Sequence, residues 1–172
     1  MPIKRPAQVN ILTPPDAMTG QVQVVVTDNG STAAVYNTQA QPASASFFVF
    51  NGRPYVAATH ANGRFLGPAS LYAELTTPAK PGETVVMYAN GFGTTSAPVV
   101  SRSTVQSGSL SSLPVIRIGG TSANVLFAGL VAPGEFQFDV VVPSSLADGD
   151  QPIIATYNGS ATQAGTLITI QH

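Results

Sequence analysis

QVNILTPPDAMTGQVQVVVTDNGS, residues 8–31, returns as QFDVVVPSSLADGDQPIIATYNGS, residues 137–160. The two stretches align without a gap at a constant offset of 129, as from Gln8 to Gln137, and seven of the 24 aligned pairs are identical. The identities are Gln8/Gln137, Pro14/Pro143, Gly20/Gly149, Thr27/Thr156, Asn29/Asn158, Gly30/Gly159 and Ser31/Ser160. Most of the other pairs exchange one apolar residue for another, such as Ile11/Val140 and Val24/Ile153. A chain that opens with its own ending is a tandem repeat entered part-way through.

The alternation inside these stretches is that of strands. Val22, Val24 and Val26 alternate with Gln21, Gln23 and Val25, and Phe136, Phe138, Val140 and Val142 alternate with Gln137, Asp139 and Val141. Similar short runs occur at ETVVMYAN, LPVIRIGG, ANVLFAG, PIIATYN and GTLITIQ. Asn-Gly occurs five times, at Asn29, Asn51, Asn62, Asn90 and Asn158, and the pair suits the positive φ angles of a type I′ hairpin. Many short strands with frequent turns predict an all-β sandwich or barrel. The helical candidate is a turn or so around Ser70 to Leu75. The first copy supplies strands near residues 8–13, 21–28 and 33–41, and PASAS at 42–46 connects onward. Two units follow: residues 1–46, the last strands of an incomplete repeat plus connector, and residues 47–172, a complete sandwich.

Composition narrows the function classes. Charged residues make up 9% of the 172 residues, against about 25% in a typical globular domain. Ser, Thr, Asn, Gln and Gly must therefore cover the surface, as is common in secreted bacterial proteins and in subunits that bury surface in assemblies. The seven basic residues are scattered and the net charge is −1, so no basic face of the kind that binds nucleic acid is visible. The absence of cysteine removes disulfides, thiolate nucleophiles and zinc–thiolate sites. No run approaches the length of a membrane span. MPIKRPAQVNIL has a basic pair but no apolar core segment, so an exported chain would take its signal from elsewhere.

The wording of the second unit is similar to a known family. PGETVVMYANGFG at 81–93, followed by LPVIRIGGTSANVLFAGLVAPGEFQFDVVVPSSLADGDQPIIATYNGSATQAGTLITIQ at 113–171, resembles the immunoglobulin-like IPT/TIG repeat. It is closest in wording to the C-terminal module of secreted proteins in Solibacter-like acidobacteria. In that module a PGE-T strand leads to a G-F-G turn, and an IGG-x-x-A-x-V-x-FAGL stretch leads to a closing VP strand. The resemblance implies an Ig-like, secreted or surface-attached module with no assigned catalytic residues. Family members usually carry two such repeats; here the early strands of the first are absent.

No constellation of residues names a chemistry. His60, in AATHANGR, is the only internal histidine, has no G-x-S-x-G serine elbow to serve, and reads as a loop residue beside an Asn-Gly turn. Asp148 and Asp150, in LADGDQ, are spaced as calcium ligands often are, but the further oxygens and closing Glu are missing, and the first copy has AMTGQV there. They stand as weak calcium candidates beside the plainer reading of a solvated turn. Glu83 and Glu135 each follow a Pro-Gly pair and read as the leading turns of strands rather than as a glycosidase pair. Lys80 has no partner marked out for an isopeptide bond. The loop aromatics Tyr55, Phe65, Tyr72 and Phe92 are candidates for a glycan- or ligand-binding surface, although Trp is absent.

The expectation that follows is a non-enzymatic, extracytoplasmic, Ig-like structural or adhesive module that needs no cofactor. It would self-associate, or join neighbouring domains of a longer protein, by strand addition at the incomplete repeat, with Val22, Val24 and Val26 forming the buried face. The alternative is a carbohydrate- or ligand-binding accessory module of a larger secreted protein.

Overall fold

A computed structural model describes residues 11–13, 18–100 and 102–172. The described chain is all-β, and its strands follow the sequence signals closely. In order they are β1 (Gly20–Val24), β2 (Thr27–Asp28), β3 (Ser31–Thr32), β4 (Tyr36–Ala40), β5 (Ser46–Phe47), β6 (Ala58–His60), β7 (Phe65–Leu66), β8 (Thr76–Thr77) and β9 (Thr84–Asn90). There follow β10 (Gly108–Ser109), β11 (Val115–Ile118), β12 (Thr121–Ser122), β13 (Asn124–Ala132), β14 (Glu135–Val141), β15 (Gly149–Tyr157), β16 (Ser160–Ala161) and β17 (Leu167–Ile170).

Two sheets form a sandwich. One runs β10-β13-β14-β9-β6-β7-β8, with β5 also on β9; the other runs β12-β11-β15-β16, with β17 also on β15. Strand alternation places one face of each sheet inward. Val85, Met87 and Ala89 of β9 and Phe136, Phe138 and Val140 of β14 thereby meet Ile116 and Ile118 of β11, Ile153, Ala155 and Tyr157 of β15, and Ile168 and Ile170 of β17. Each fully buried aliphatic or aromatic side chain stabilises by about 1.5–3 kcal/mol. The sheets are tied at one side by single parallel bridges from Tyr55 to Leu167 and from Ala79 to Ile170. Breaks in register at Val125/Phe127 and Leu130/Ala132 mark irregularities in β13.

The repeat is real in three dimensions. The Asn29-Gly30 turn has φ of 47° and 80°, and Asn158-Gly159 has 47° and 78°, the two positive angles of a type I′ turn. Thr27↔Thr32 and Asp28↔Ser31 pair in the first copy as Thr156↔Ala161 and Tyr157↔Ser160 do in the second. Below each turn a backbone bond closes the hairpin at equivalent residues, Ala33 N–H to Val26 O at 2.8 Å and Thr162 N–H to Ala155 O at 2.9 Å. The return strands differ by one residue: Gly20 faces Ala40, whereas Gly149 faces Ile170.

Several local expectations are corrected. Of the proposed strand at 8–13, residues 8–10 lie outside the described residues and 11–13 are not in a strand. The 70–75 segment holds turns and no helix, closed by Leu71 N–H to Pro68 O and Leu75 N–H to Tyr72 O. At the other three Asn-Gly pairs only the glycine has positive φ, so these are not type I′ turns. Gly91 is required for a different reason: a Cβ there would lie 2.0 Å from the Ser44 carbonyl oxygen. That oxygen belongs to the connector, which is bonded into the sandwich. Ser44 N–H reaches Gly91 O at 2.7 Å, and Ala45 N–H reaches Ser160 Oγ at 3.0 Å. Gln163 clamps the next residues, its Oε1 accepting from Phe47 N–H at 3.0 Å and its Nε2 donating to Phe47 O at 2.8 Å.

Candidate functional site

Two places on the described surface combine exposed apolar groups with a defined scaffold. The first is the edge of the N-terminal hairpin. β1 and β4 pair only with each other among the described residues, as do β2 and β3. Val22 and Val24 are half-buried, and Val26 is 48% exposed. Val25, Val35 and Tyr36 add further exposed apolar surface. In the second copy the residues that match Val24 and Val26, Ile153 and Ala155, are 1% and 0% exposed. They face the other sheet across the core, beside Ile116 and Ile118 of β11, which pairs Ile118↔Ile153, Arg117↔Ile154, Ile116↔Ala155 and Val115↔Thr156.

The second is an aromatic cluster on β7 and the adjacent turns. Phe65 and Tyr72, both singled out in the sequence, are 45% and 37% exposed and meet over Phe50, which the sequence reading did not single out. Ring centroids stand 5.7 Å (Phe50–Phe65) and 5.6 Å (Phe50–Tyr72) apart, edge to face. Tyr72 is fixed by Thr76, whose Oγ1 accepts from Tyr72 N–H at 3.2 Å and donates to Pro68 O at 2.8 Å. Arg64 donates to the Glu74 carbonyl at 3.3 Å beside it. The cluster offers ring faces and edges to an apolar ligand surface, with a guanidinium at its rim.

Tyr55 stands apart from these rings in its bonding. Its hydroxyl donates to Asp150 Oδ2 at 2.9 Å, and that bond, with a smaller contribution from desolvation and the Asp150 charge, holds its pKa above the usual tyrosine value. Phe92 is a correction. It is 0% exposed, packed 4.6 Å from Phe138, 5.8 Å from Phe136 and 6.1 Å from Tyr157 by ring centroid, and so cannot line a ligand surface. Gly91 and Gly93 on either side, both at positive φ, turn the chain so that the ring enters the core.

The two aspartates proposed for calcium are given separate partners. Asp148 Oδ1 accepts from the His172 backbone N–H at 2.9 Å and contacts its Nδ1 at 2.6 Å. These bonds, the side-chain one first, lower the Asp148 pKa. Asp150 Oδ1 accepts from Thr169 Oγ1 at 2.6 Å while Oδ2 holds Tyr55. Among the described residues no group of three His, Asp or Glu side chains gathers around a common point.

His60 is also a correction, since it ends β6 rather than lying free in a loop. Its Nδ1 is 3.1 Å from Glu83 Oε2, and its Nε2 is 2.9 Å from Thr77 Oγ1 and 3.1 Å from Thr77 O. Glu83 Oε1 in turn accepts from Lys80 N–H at 2.8 Å. The order acid, imidazole, hydroxyl is that of a catalytic triad, but here it clasps β6, β8 and the turn before β9. A shallow depression of about 190 Å³ lies between Gln41–Ala43 and Asn158–Ser160, smaller than the ~300–1,000 Å³ of ordinary ligand pockets.

No protein-family model and no curated protein matches this sequence. Among solved structures, a "putative phosphatase" from Bacteroides thetaiotaomicron is similar over 55% of this chain and 16% of its own, at 18% identity and a TM-score of 0.35. A gamma-CGTase from alkalophilic Bacillus clarkii is similar over 93% of this chain and 20% of its own, at 16% identity and a TM-score of 0.40. The chain spans at most a fifth of either protein. Likenesses of this size carry no argument about activity.

Proposed function

We propose that this chain is a non-enzymatic structural module of the IPT/TIG-like kind, working outside the cytoplasm, whose N-terminal strands are its joint to a neighbouring unit. One observation carries the reading. The same hairpin occurs twice in the chain, and the copy at β15–β17 has its apolar side chains covered while the copy at β1–β4 does not. A neutral surface suits a protein whose contacts are made by main-chain bonds and small apolar side chains. The test is the absolute mass in solution, by light scattering after size exclusion, over a wide concentration range. Growth into dimers or longer assemblies, abolished by Val26→Lys, is the expected result. A chain that stays monomeric, with the amides of residues 21–28 fully protected from exchange, would overturn it.

A second reading, a carbohydrate-binding accessory module, is favoured by the Phe50–Phe65–Tyr72 cluster. Its test is a polysaccharide panel against the chain and its Phe65→Ala, Tyr72→Ala variant; binding that the double variant loses would support it, and a panel without binding would remove it.

A further inference from the structure

β15 runs unbroken from Gly149 to Tyr157, whereas the matching run in the first copy is interrupted at Val25 and Val26, between β1 and β2. The interruption falls where β11 pairs with β15. On one edge the two runs are satisfied alike, by the return strand and the turn: Val24 faces Tyr36, and Ile153 N–H bonds Thr166 O at 2.9 Å. On the opposite edge, Ile153–Thr156 are paired with Ile118–Val115, and Val24–Thr27 are paired with nothing among the described residues. The described N-terminal residues 11–13 match Val140–Val142, which belong with the other sheet and not with this edge.

Resting on the reading of the N-terminal strands as a joint, we infer that the edge Val24–Thr27 is an acceptor for one strand of β11 chemistry, presented antiparallel by a neighbouring repeat. The donor carries bulky apolar residues at alternate positions, as Ile116 and Ile118 do, directed at Val26 and Val24, with exposed residues between them as at Val115 and Arg117. Docking extends the ladder across Val25–Val26, so that β1 and β2 become one strand. The apolar face ends at Val26, because Asp28 stands where the buried Tyr157 stands in the second copy.

The probe is a synthetic peptide of residues 112–122, SLPVIRIGGTS, added to the full chain and followed by amide exchange and by anisotropy of a labelled peptide. Saturable binding with at least tenfold slowing of exchange at Val24–Thr27, lost with the Ile116→Lys, Ile118→Lys peptide and with the Val26→Lys chain, is the expected result. Val26 is already exposed, so an unchanged melting curve separates lost binding from lost folding. Protection confined to the outer edge of Tyr36–Ala40, or changes at Ile153–Thr156 showing invasion of the sandwich, would overturn the inference. Mass growth without peptide binding overturns the donor's chemistry while leaving the joint standing, and a chain that neither grows nor binds overturns both. Pairing of Val24–Thr27 with the same residues of a second copy, seen as protection at high concentration that the peptide does not displace, also counts against it.

Discussion

The hairpin at Gly20–Ala40 and the one at Gly149–Ile170 share turn angles and the ladder next to the turn, yet one is exposed and the other sits in a core. The turn itself is local, since the shared Asn-Gly-Ser adopts the paired positive φ angles in both settings, exposed and packed. Burial is set by what packs on the face and what pairs along the edge. Ile153 and Ala155 face the other sheet and have β11 beside them, whereas Val24 and Val26 belong to no such core and no described strand pairs with that edge. The same turn conformation therefore coexists with opposite burial, and a substitution at matched positions separates the two contributions. Ile153→Ala removes side-chain atoms from a filled core and is expected to cost about 2–5 kcal/mol. Val24→Ala, at the matched half-buried position, is expected to cost less than about 1 kcal/mol in the isolated chain. Chemical denaturation of both variants measures the gap, and a Val24→Ala cost as large as that of Ile153→Ala would mean that the first hairpin is covered after all.

A smaller effect comes from the polar groups that fix the second copy and are absent from the first. Thr162 Oγ1 accepts the buried Ala155 N–H at 3.0 Å, and Gln163 clamps Phe47; the matching residues are Ala33 and Ala34. Thr162→Ala leaves a buried donor unpaired and is expected to cost about 1–3 kcal/mol. Ala33→Thr, beside a backbone open to water, is expected to change stability by no more than about 0.5 kcal/mol. Thermal melts of the two variants decide it; equal effects would show that the hydroxyl acts through the turn itself and not through burial.

The class of fold and the repeat were legible because both rest on short-range patterns: alternation in runs such as EFQFDVVV, Asn-Gly at the hairpin tips, glycine at matched positions such as Gly20 and Gly149, with φ of 97° and 105°. What escaped the sequence depends on long-range packing. Phe92 follows an Asn-Gly pair and so resembles a loop residue, but its ring enters the core. Phe50 lies in an apolar run with nothing to show that it would come up beneath Phe65 and Tyr72. Asp148 and Asp150 are adjacent but one in sequence; β15 begins between them and carries Asp150 toward Tyr55 and Thr169, leaving Asp148 to the C-terminal residue. His60 looked like a solitary histidine because Thr77 and Glu83, its partners, are 17 and 23 residues away.

The smallest expected effect concerns that C-terminal contact, which the first copy lacks because Thr19 stands where Asp148 does. Hydrogen bonds from His172 favour the ionised carboxylate, so the Asp148 pKa lies below the ordinary aspartate value of about 3.9. Protons therefore bind the unfolded chain more readily than the folded one. The contribution is present above the ordinary value and is lost as pH falls through the lowered one. Both side chains are more than half exposed, so the contact is screened by solvent and its loss should leave the melting temperature unchanged within error. Its signature is in titration: the Asp148 carboxyl, followed by carbon-13 NMR, should titrate below the ordinary range and return to it in His172→Ala. If the variant leaves the titration unmoved, His172 does not hold Asp148 in solution. The second copy's advantage over the first would then reside wholly in the covered face and the polar clamps.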